Sequence, residues 1–198
     1  MFTGIIETVG NLTETKREGT NLHLKICSPI SSELKIDQSV SHNGICLTVT
    51  RVEEGCHWVT AIDETLKRSN LGALKDDAQI NLERCMVMNG RLDGHMVQGH
   101  VDTTAEVVKV EDQDGSWLFR FKLTEDQEPM VEKGSVSING TSLTCFDISD
   151  GEFSVGIIPY TYENTNFNQL QPGSIVNIEF DIIGKYIRKI INQTTQSS

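Results

Sequence analysis

Long apolar runs are absent from this 198-residue chain. Nothing approaches the ~18 uninterrupted apolar residues of a membrane-crossing helix, so none is expected. The opening "MFTGIIETVG" carries no basic segment ahead of an apolar one. No secretory leader is therefore expected, and the reading is a cytoplasmic protein. The sequons at Asn11, Asn139 and Asn192 then carry no expectation of glycosylation. Basic residues are scarce: 17 Lys and Arg face 28 Asp and Glu, for a formal net charge of -11. Phosphate backbones and anionic bilayers want a basic face, so nucleic acid and membrane are poor partners. A neutral small molecule stays open. CxxC spacing is also absent. Five cysteines (Cys27, Cys46, Cys56, Cys85 and Cys145) make an odd number without a framework pattern, so reduced thiols are expected. Walker, GxGxxG, HExxH and GxSxG motifs are missing too. No nucleotide cradle, no metal and no cofactor are expected.

What is present is a repeat. "NGICLTV" at 43–49 returns as "NGTSLTC" at 139–145, a shift of 96. The same shift matches Ser39, Val40, Ser41, Leu47 and Thr48 to Ser135, Val136, Ser137, Leu143 and Thr144. Further on it matches Ile62, Thr65, Asn70, Leu74, Asn81 and Glu83 to Ile158, Thr161, Asn166, Leu170, Asn177 and Glu179. No gap is needed between 39 and 83, which points to a duplicated domain. Apolar–polar alternation predicts strands over 21–26, 47–52, 57–62 and 78–83. In the second copy it predicts them over 103–110, 117–123, 135–138, 153–158 and 174–180. Short helix-capable links, "ETLKRSNLGAL" and "TYENTNFNQL", precede the last strand of each half. About six short strands in ~90 residues favour an all-β pair of small closed barrels, because closure removes exposed edges. The boundary is expected near "NGRLDG", giving units 1–89 and 90–181, then a helix and tail over 182–198. In that helix Ile183, Ile187, Ile190 and Ile191 form an apolar stripe. It is to be buried either on its own barrel or on copies of itself.

Among reactive side chains, a cysteine in a strand is usually a small buried hydrophobe, and Cys27, Cys85 and Cys145 are read so. Cys46 differs, because the repeat sets it opposite polar Ser142. "GRLDGHMVQGHVDTTAEV" holds His95 and His100, each after a glycine. Proton transfer and a satisfied structural role remain open for both. Lys133 before Gly134 reads as a solvated surface residue.

Seven stretches in order, "MFTGIIE", "SHNGICLTV", "ETLKRSNLG", "GRLDGHMVQGHVD", "INGTSLT", "IPYT" and "VNIEFDIIGKY", resemble riboflavin synthase of the alpha-chain type, from Met1 to about Arg188. The resemblance implies two six-stranded Greek-key barrels and a C-terminal helix that assembles a homotrimer. It implies a transferase that dismutates two molecules of 6,7-dimethyl-8-ribityllumazine, one donating a four-carbon unit to the other. The products are riboflavin and 5-amino-6-ribitylamino-2,4(1H,3H)-pyrimidinedione, with no metal or redox cofactor. The active site is expected between subunits, and a functional link to lumazine synthase is implied. Carried over by residue, the first pocket takes Gly4, Ile5, Ile6, Ser39, Cys46, Leu47 and Thr48, with Thr60, Ala61, Ile62, Asp63, Glu64 and Thr65. The second takes Gly99, His100, Val101, Ser142, Leu143 and Thr144, with Gly156, Ile157, Ile158, Pro159, Tyr160 and Thr161. Phe2 and Thr3 are expected to line the shared site, and Lys133 to reach a ligand across the subunit boundary. His100 and Ser142 are expected to help deprotonate one lumazine at its C7 methyl. Cys46 is expected to assist addition at C7 of the other, with Ser39 and Thr144 in the catalytic set. Family members often carry an acidic residue where this chain has Thr60. The alternative on the same fold is a non-catalytic lumazine- or flavin-binding protein. The presence of Cys46, Ser39, His100, Lys133, Ser142 and Thr144 together favours the enzyme.

Overall fold

A computed structural model describes residues 1–125 and 130–196. The final two residues of the expected tail lie outside the described residues. In the first copy the strands are β1 (Thr8–Glu18), β2 (Asn21–Cys27), β3 (Ser39–His42), β4 (Ile45–Glu53), β5 (Cys56–Ala61) and β6 (Gln79–Arg84). In the second they are β7 (Thr103–Asp112), β8 (Trp117–Leu123), β9 (Ser135–Ile138), β10 (Thr141–Ser149), β11 (Glu152–Ile157) and β12 (Ile175–Phe180). The first six close into a barrel in the order β1-β2-β5-β4-β3-β6. The second six close in the same cyclic order, β7-β8-β11-β10-β9-β12. Register repeats as well: Val40 faces Leu47 as Val136 faces Leu143, and Ser41 faces Cys46 as Ser137 faces Ser142. Over the first two strands of each copy the shift is 95 instead. Leu24 meets Val59 where Phe119 meets Val155. The extra residue therefore falls in the loop before β9.

Side-chain alternation makes each barrel's interior. Leu12, Leu24, Ile26, Val49, Val59, Ile80 and Leu82 fill the first. The second replaces Leu24, Ile26, His57 and Leu71 by Phe119, Phe121, Phe153 and Phe167, which pack edge-on or stacked at 5.2–6.2 Å. The first barrel's interior instead holds two buried histidines, His42 and His57, 2.8 Å apart through their Nε2 atoms.

The barrels meet about a local twofold axis, and the duplicated asparagines build the seam. Asn43 Oδ1 accepts from the Asn81 N–H at 2.8 Å, and Asn139 Oδ1 from the Asn177 N–H at 2.9 Å. Across the seam the Asn81 amide donates to the Asn139 carbonyl at 3.0 Å, and the Asn177 amide to the Asn43 carbonyl at 2.9 Å. Asn70 and Asn166 each donate a backbone N–H to the opposite pair, to Asn177 Oδ1 and Asn81 Oδ1, both at 2.8 Å. Buried amides need such full pairing. A barrel on its own would keep its internal asparagine bond and lose the bonds that cross the seam.

The two helix-capable links each fold as one helical turn followed by a 3-10 turn. These are α1 (Asp63–Arg68) with Asn70–Ala73, and α2 (Pro159–Asn164) with Asn166–Gln169. The last helix, α3 (Ile182–Gln196), keeps Ile183, Tyr186, Ile187, Ile190 and Ile191 more than half exposed. Its stripe is not covered by its own barrel. Among the described residues no helix is long and apolar enough to cross a membrane. The cysteine reading needs one correction. Cys27 and Cys56, paired opposite each other on β2 and β5, are joined by a disulfide, while Cys46, Cys85 and Cys145 are free. Strand neighbours without a sequence motif carry no spacing signal for such a bond.

Candidate active site

Alternation turns Ile45, Leu47 and Val49 into the first core and leaves Cys46 and Thr48 facing outward. Ser142 and Thr144 take the same outward rows on β10. The reactive side chains therefore sit on the outer walls of the barrels. Leu47, Ala61 and Ile157, expected at the site, send their side chains into the cores and can offer a ligand only backbone groups.

What covers these walls corrects the grouping by chain order. The segment around Gly4 does not stand against Cys46: the Ser142 N–H donates to the Gly4 carbonyl at 2.8 Å. The segment around Gly99 stands instead against Cys46, whose N–H donates to the Gly99 carbonyl at 2.9 Å. The approach requires glycine on both sides. A Cβ on Gly99 would lie 2.5 Å from Cys46 Cβ, and one on Gly4 would lie 2.6 Å from Ser142 Cβ, with φ at +83° and +77°. Each segment thus crosses the seam to the other barrel. His100 and Val101 belong with the first pocket; the repeat sets Ile5 and Ile6 beside the second.

Each crossing segment is clamped by a buried carboxylate at the end of its own barrel. Glu83 accepts from the Thr3 N–H at 2.6 Å, the Thr3 hydroxyl at 2.7 Å and the Gly4 N–H at 3.0 Å. Glu179 accepts from the N–H groups of Gln98, Gly99 and His100 at 2.6, 2.9 and 2.8 Å. Burial pushes both carboxyl pKa values up, and these donated N–H bonds oppose the rise. Phe2 is fully buried and pairs with Val97 as a two-residue ladder. It is a packing residue beneath Gly99, not part of an open site wall.

A cleft of about 490 Å³ is lined by Cys46, His100 and Val101 with Glu64, Thr65 and Arg68 of α1, and by Asp102. Burial raises the Cys46 thiol pKa against a hydrogen bond from Ser39, so the thiol is protonated at neutral pH. Arg68, paired with Glu64 at 3.1 Å, and Asp102 were not anticipated from the motifs.

The second wall holds a pair that chain spacing did not reveal. Ser142 Oγ lies 2.6 Å from His95 Nδ1. Burial lowers the His95 pKa, with Asp181 acting the other way, so the ring is neutral at pH 7; in the tautomer protonated at Nε2 its Nδ1 accepts from the serine. His95 Nε2 is buried without a protein partner. A hydroxyl bonded to a neutral imidazole is an activated-nucleophile or relay geometry. Ile158, just before α2, and Tyr160, in its first turn, are exposed beside Gly156, Pro159 and Thr161. Extending the repeat to "MFTG" against "MVQG" would have exposed both crossings.

The remaining expected residues are placed as follows. Thr60 Oγ1 bonds His23 Nδ1 at 2.9 Å, and His23 in turn meets Glu18 at 3.0 Å. Asp63 pairs with Lys67 on α1. Lys133, at φ +63°, lies over the Phe146 ring at 4.6 Å. Among the described residues no cluster of three or more His, Cys, Asp or Glu could hold a metal ion.

The family description "Lumazine binding domain" matches residues 3–85 and again 98–181. The matches begin at Thr3 and Gln98, the equivalent residues of the two crossing segments. Over 199 aligned positions the chain is 40% identical to a riboflavin synthase of Bacillus amyloliquefaciens, covering 100% of this chain and 93% of that one. It is also 40% identical to that of Actinobacillus pleuropneumoniae, covering 96% and 90%. The chain belongs to the riboflavin synthase family. Its fold is shared with LumP in complex with 6,7-dimethyl-8-(1'-D-ribityl) lumazine, at TM-score 0.84 and 22% identity over 91% of this chain and 99% of that one. In riboflavin synthase terms each matched domain is one barrel together with its own crossing segment. The carboxylate clamps are among the features that the two copies share.

Proposed function

We propose that this protein is a riboflavin synthase: it dismutates two 6,7-dimethyl-8-ribityllumazine molecules to riboflavin and 5-amino-6-ribitylamino-2,4(1H,3H)-pyrimidinedione. The observation that carries the assignment is the pair of complete lumazine-binding domains, aligned end to end with riboflavin synthases. A reaction between two copies of one molecule needs two similar pockets, and holding both copies in register removes much of the entropic barrier. Each wall offers one polar side chain at equivalent positions, Cys46 and Ser142, with a hydroxyl two residues on at Thr48 and Thr144.

The roles divide by environment. Ser142 with neutral His95 takes the proton from the C7 methyl of one lumazine; this replaces His100 as the serine's partner. The protonated Cys46 thiol with Ser39, and His100 above it, serves addition at C7 of the other. Thr65 and Glu64 hold the polar chain of the ligand at the first wall, and Thr161 at the second. Lys133 is free to swing from Phe146 toward a ligand on a neighbouring subunit. Assembly as a homotrimer through α3 is supported by its exposed Ile183, Ile187, Ile190 and Ile191 stripe, and it would bring a first wall against a second. A cytoplasmic setting, where a functional link to lumazine synthase as substrate supplier would operate, fits the three free thiols, while the Cys27–Cys56 disulfide runs against a strongly reducing compartment.

The test is to mix metal-stripped protein with the lumazine alone and follow riboflavin absorbance. Riboflavin at half the molar amount of lumazine consumed establishes the dismutation. Binding of intact lumazine without riboflavin overturns it in favour of a binding protein.

A further inference from the structure

The two repeats hold their crossing segments with the same carboxylates but not with the same cation. In the first, Glu7 follows Gly4, Ile5 and Ile6, and Arg84 at the end of β6 closes on it. The Arg84 N–H donates to Glu7 Oε1 at 2.7 Å, and its guanidinium donates to Oε2 at 2.9 and 2.6 Å. In the second, Asp102 stands in the place of Glu7 and Phe180 in the place of Arg84. The backbone half of the clamp survives, with the Phe180 N–H donating to Asp102 Oδ2 at 2.9 Å. The guanidinium is gone. Lys185 supplies the charge from the first turn of α3, its Nζ 2.5 Å from the same Asp102 oxygen. Both side chains are less than one-third exposed, at 21% and 28%, so the geometry is held by packing as well as charge.

Asp102 ends the segment that carries His100 over Cys46, and its own N–H is fixed to the Ile178 carbonyl at 2.9 Å. The Lys185 ammonium also favours the charged form of Glu179, which holds the N–H groups of Gln98, Gly99 and His100. We propose that Lys185 is a positioning residue for the first pocket, through which the placement of α3 is transmitted to the His100 segment. The first crossing segment is clamped from within its own barrel. The second, held by Glu179 and the Phe180 N–H of its own barrel, takes its cation from the helix whose other face is left uncovered. The cation that fixes the first pocket's cover therefore comes from the helix, and the one that fixes the second pocket's cover comes from β6. The proposal rests on the riboflavin synthase reading of the pocket for its effect on turnover, but not for the clamp itself.

The experiment compares Lys185→Met and Lys185→Arg with the parent protein. Lys185→Met should lower kcat between about tenfold and about 100-fold, the range for a misplaced active-site group. Mass by light scattering and far-UV circular dichroism should stay at parent values. Riboflavin titration should show one of two sites per chain weakened, and Lys185→Arg should restore most of both. Amide hydrogen exchange should rise at Gln98, Gly99 and His100 and stay unchanged at Thr3 and Gly4. Parent-like kcat with unchanged exchange in Lys185→Met overturns the proposal. So does a loss of activity that follows only a loss of mass, or one that arginine does not rescue. If the parent itself makes no riboflavin, the enzymatic reading fails, and the exchange pattern still decides the clamp.

Discussion

Acid should unfold the first barrel through two histidines that its twin does not have. A single proton arrangement satisfies them. The Val40 carbonyl can only accept, so His42 Nδ1 carries a hydrogen and donates to it at 3.0 Å. His42 Nε2 then accepts from the Nε2–H of His57 at 2.8 Å, and His57 Nδ1 accepts from Ser31 at 2.8 Å, which accepts from Ser28 at 2.8 Å. A further proton on His42 would set N–H against N–H, and one on His57 would force the Ser31 hydroxyl to turn from Nδ1 toward the Ile26 carbonyl. Burial is the first cause of lowered pKa values in both rings, to about 3 for His42, where the His57 charge adds to it, and to about 4 for His57. The folded values lie below the ordinary 6.5, so the unfolded chain binds protons first as pH falls. Stability present above about pH 6.5 is lost progressively below it, until the folded pKa values are reached. By pH 5 each ring forfeits about 2 kcal/mol, together about 4 kcal/mol, a large share of a typical domain's total. Copying the twin with His42→Ile and His57→Phe, the residues at 138 and 153, removes both protonation sites while refilling the core. Urea unfolding at pH 7.5 and 5.0 reads the difference. Trp58 lies in the first barrel and Trp117 in the second, so a Trp117→Phe background reports on the first alone. The parent should lose about 4 kcal/mol more than the variant between the two pH values. Glu83 and Glu179 are common to both proteins and cancel. Equal pH dependence in parent and variant would refute the reasoning.

Cys46→Ala should lower turnover roughly 100-fold, as expected for loss of a group acting in proton transfer, while lumazine binding stays near the parent's; unchanged turnover removes Cys46 from the mechanism. Ile187→Glu in the exposed stripe of α3 should reduce the mass seen by light scattering and the specific activity together, with the circular dichroism unchanged. A variant with parent mass would mean that the stripe is not the assembly surface. Alkylation of the folded protein without reductant should label Cys46 and Cys85, add Cys145 on unfolding, and reach Cys27 and Cys56 only after reduction. Labelling of Cys27 in the first step would show that the disulfide does not form in solution.

Much of the fold was legible because duplication prints its own evidence. The constant shift from 39 to 83 marks residues whose partners must be conserved in pairs, and those include the six seam asparagines. Strand β1 was not anticipated at all, since its outer half lies on the surface and carries no alternation. Short β3 is mostly buried but reads Ser-Val-Ser-His, and the start of β10 is likewise polar, so neither shows an apolar run. At the site, the outward rows of Cys46 and Ser142 followed from the repeat. Their covers did not, because chain order assigns each segment to its own barrel and the twofold axis sends it to the other. His95 was visible as one of two histidines, but only the crossing of Gly4 to Ser142 explains why it, rather than His100, meets the serine. The Cys27–Cys56 bond had no signal in sequence spacing, since antiparallel neighbours can lie any loop length apart.

A symmetric frame is a poor place for a reaction whose two molecules play different parts, unless the symmetry is broken where they react. The breaks that bear on the reacting groups lie on the walls. Cys46 with a hydroxyl partner faces Ser142 with an imidazole partner; His100 answers to Ile5, Glu64 to Tyr160, and Arg68 to Asn164. The clamps, the glycines and the amide seam stay alike, because each supports a backbone path that both copies need. Substituting a wall residue changes a surface row and costs the core nothing, whereas substituting Gly4, Gly99 or a seam asparagine disturbs both barrels at once. Outward-facing reactive rows thus let the two pockets diverge without unfolding the frame that holds them alike. The one break in a clamp, Arg84 giving way to Phe180 and Lys185, falls where α3 begins. There the second repeat gains an element that the first does not have, and the added helix takes over part of a structure that duplication had already provided.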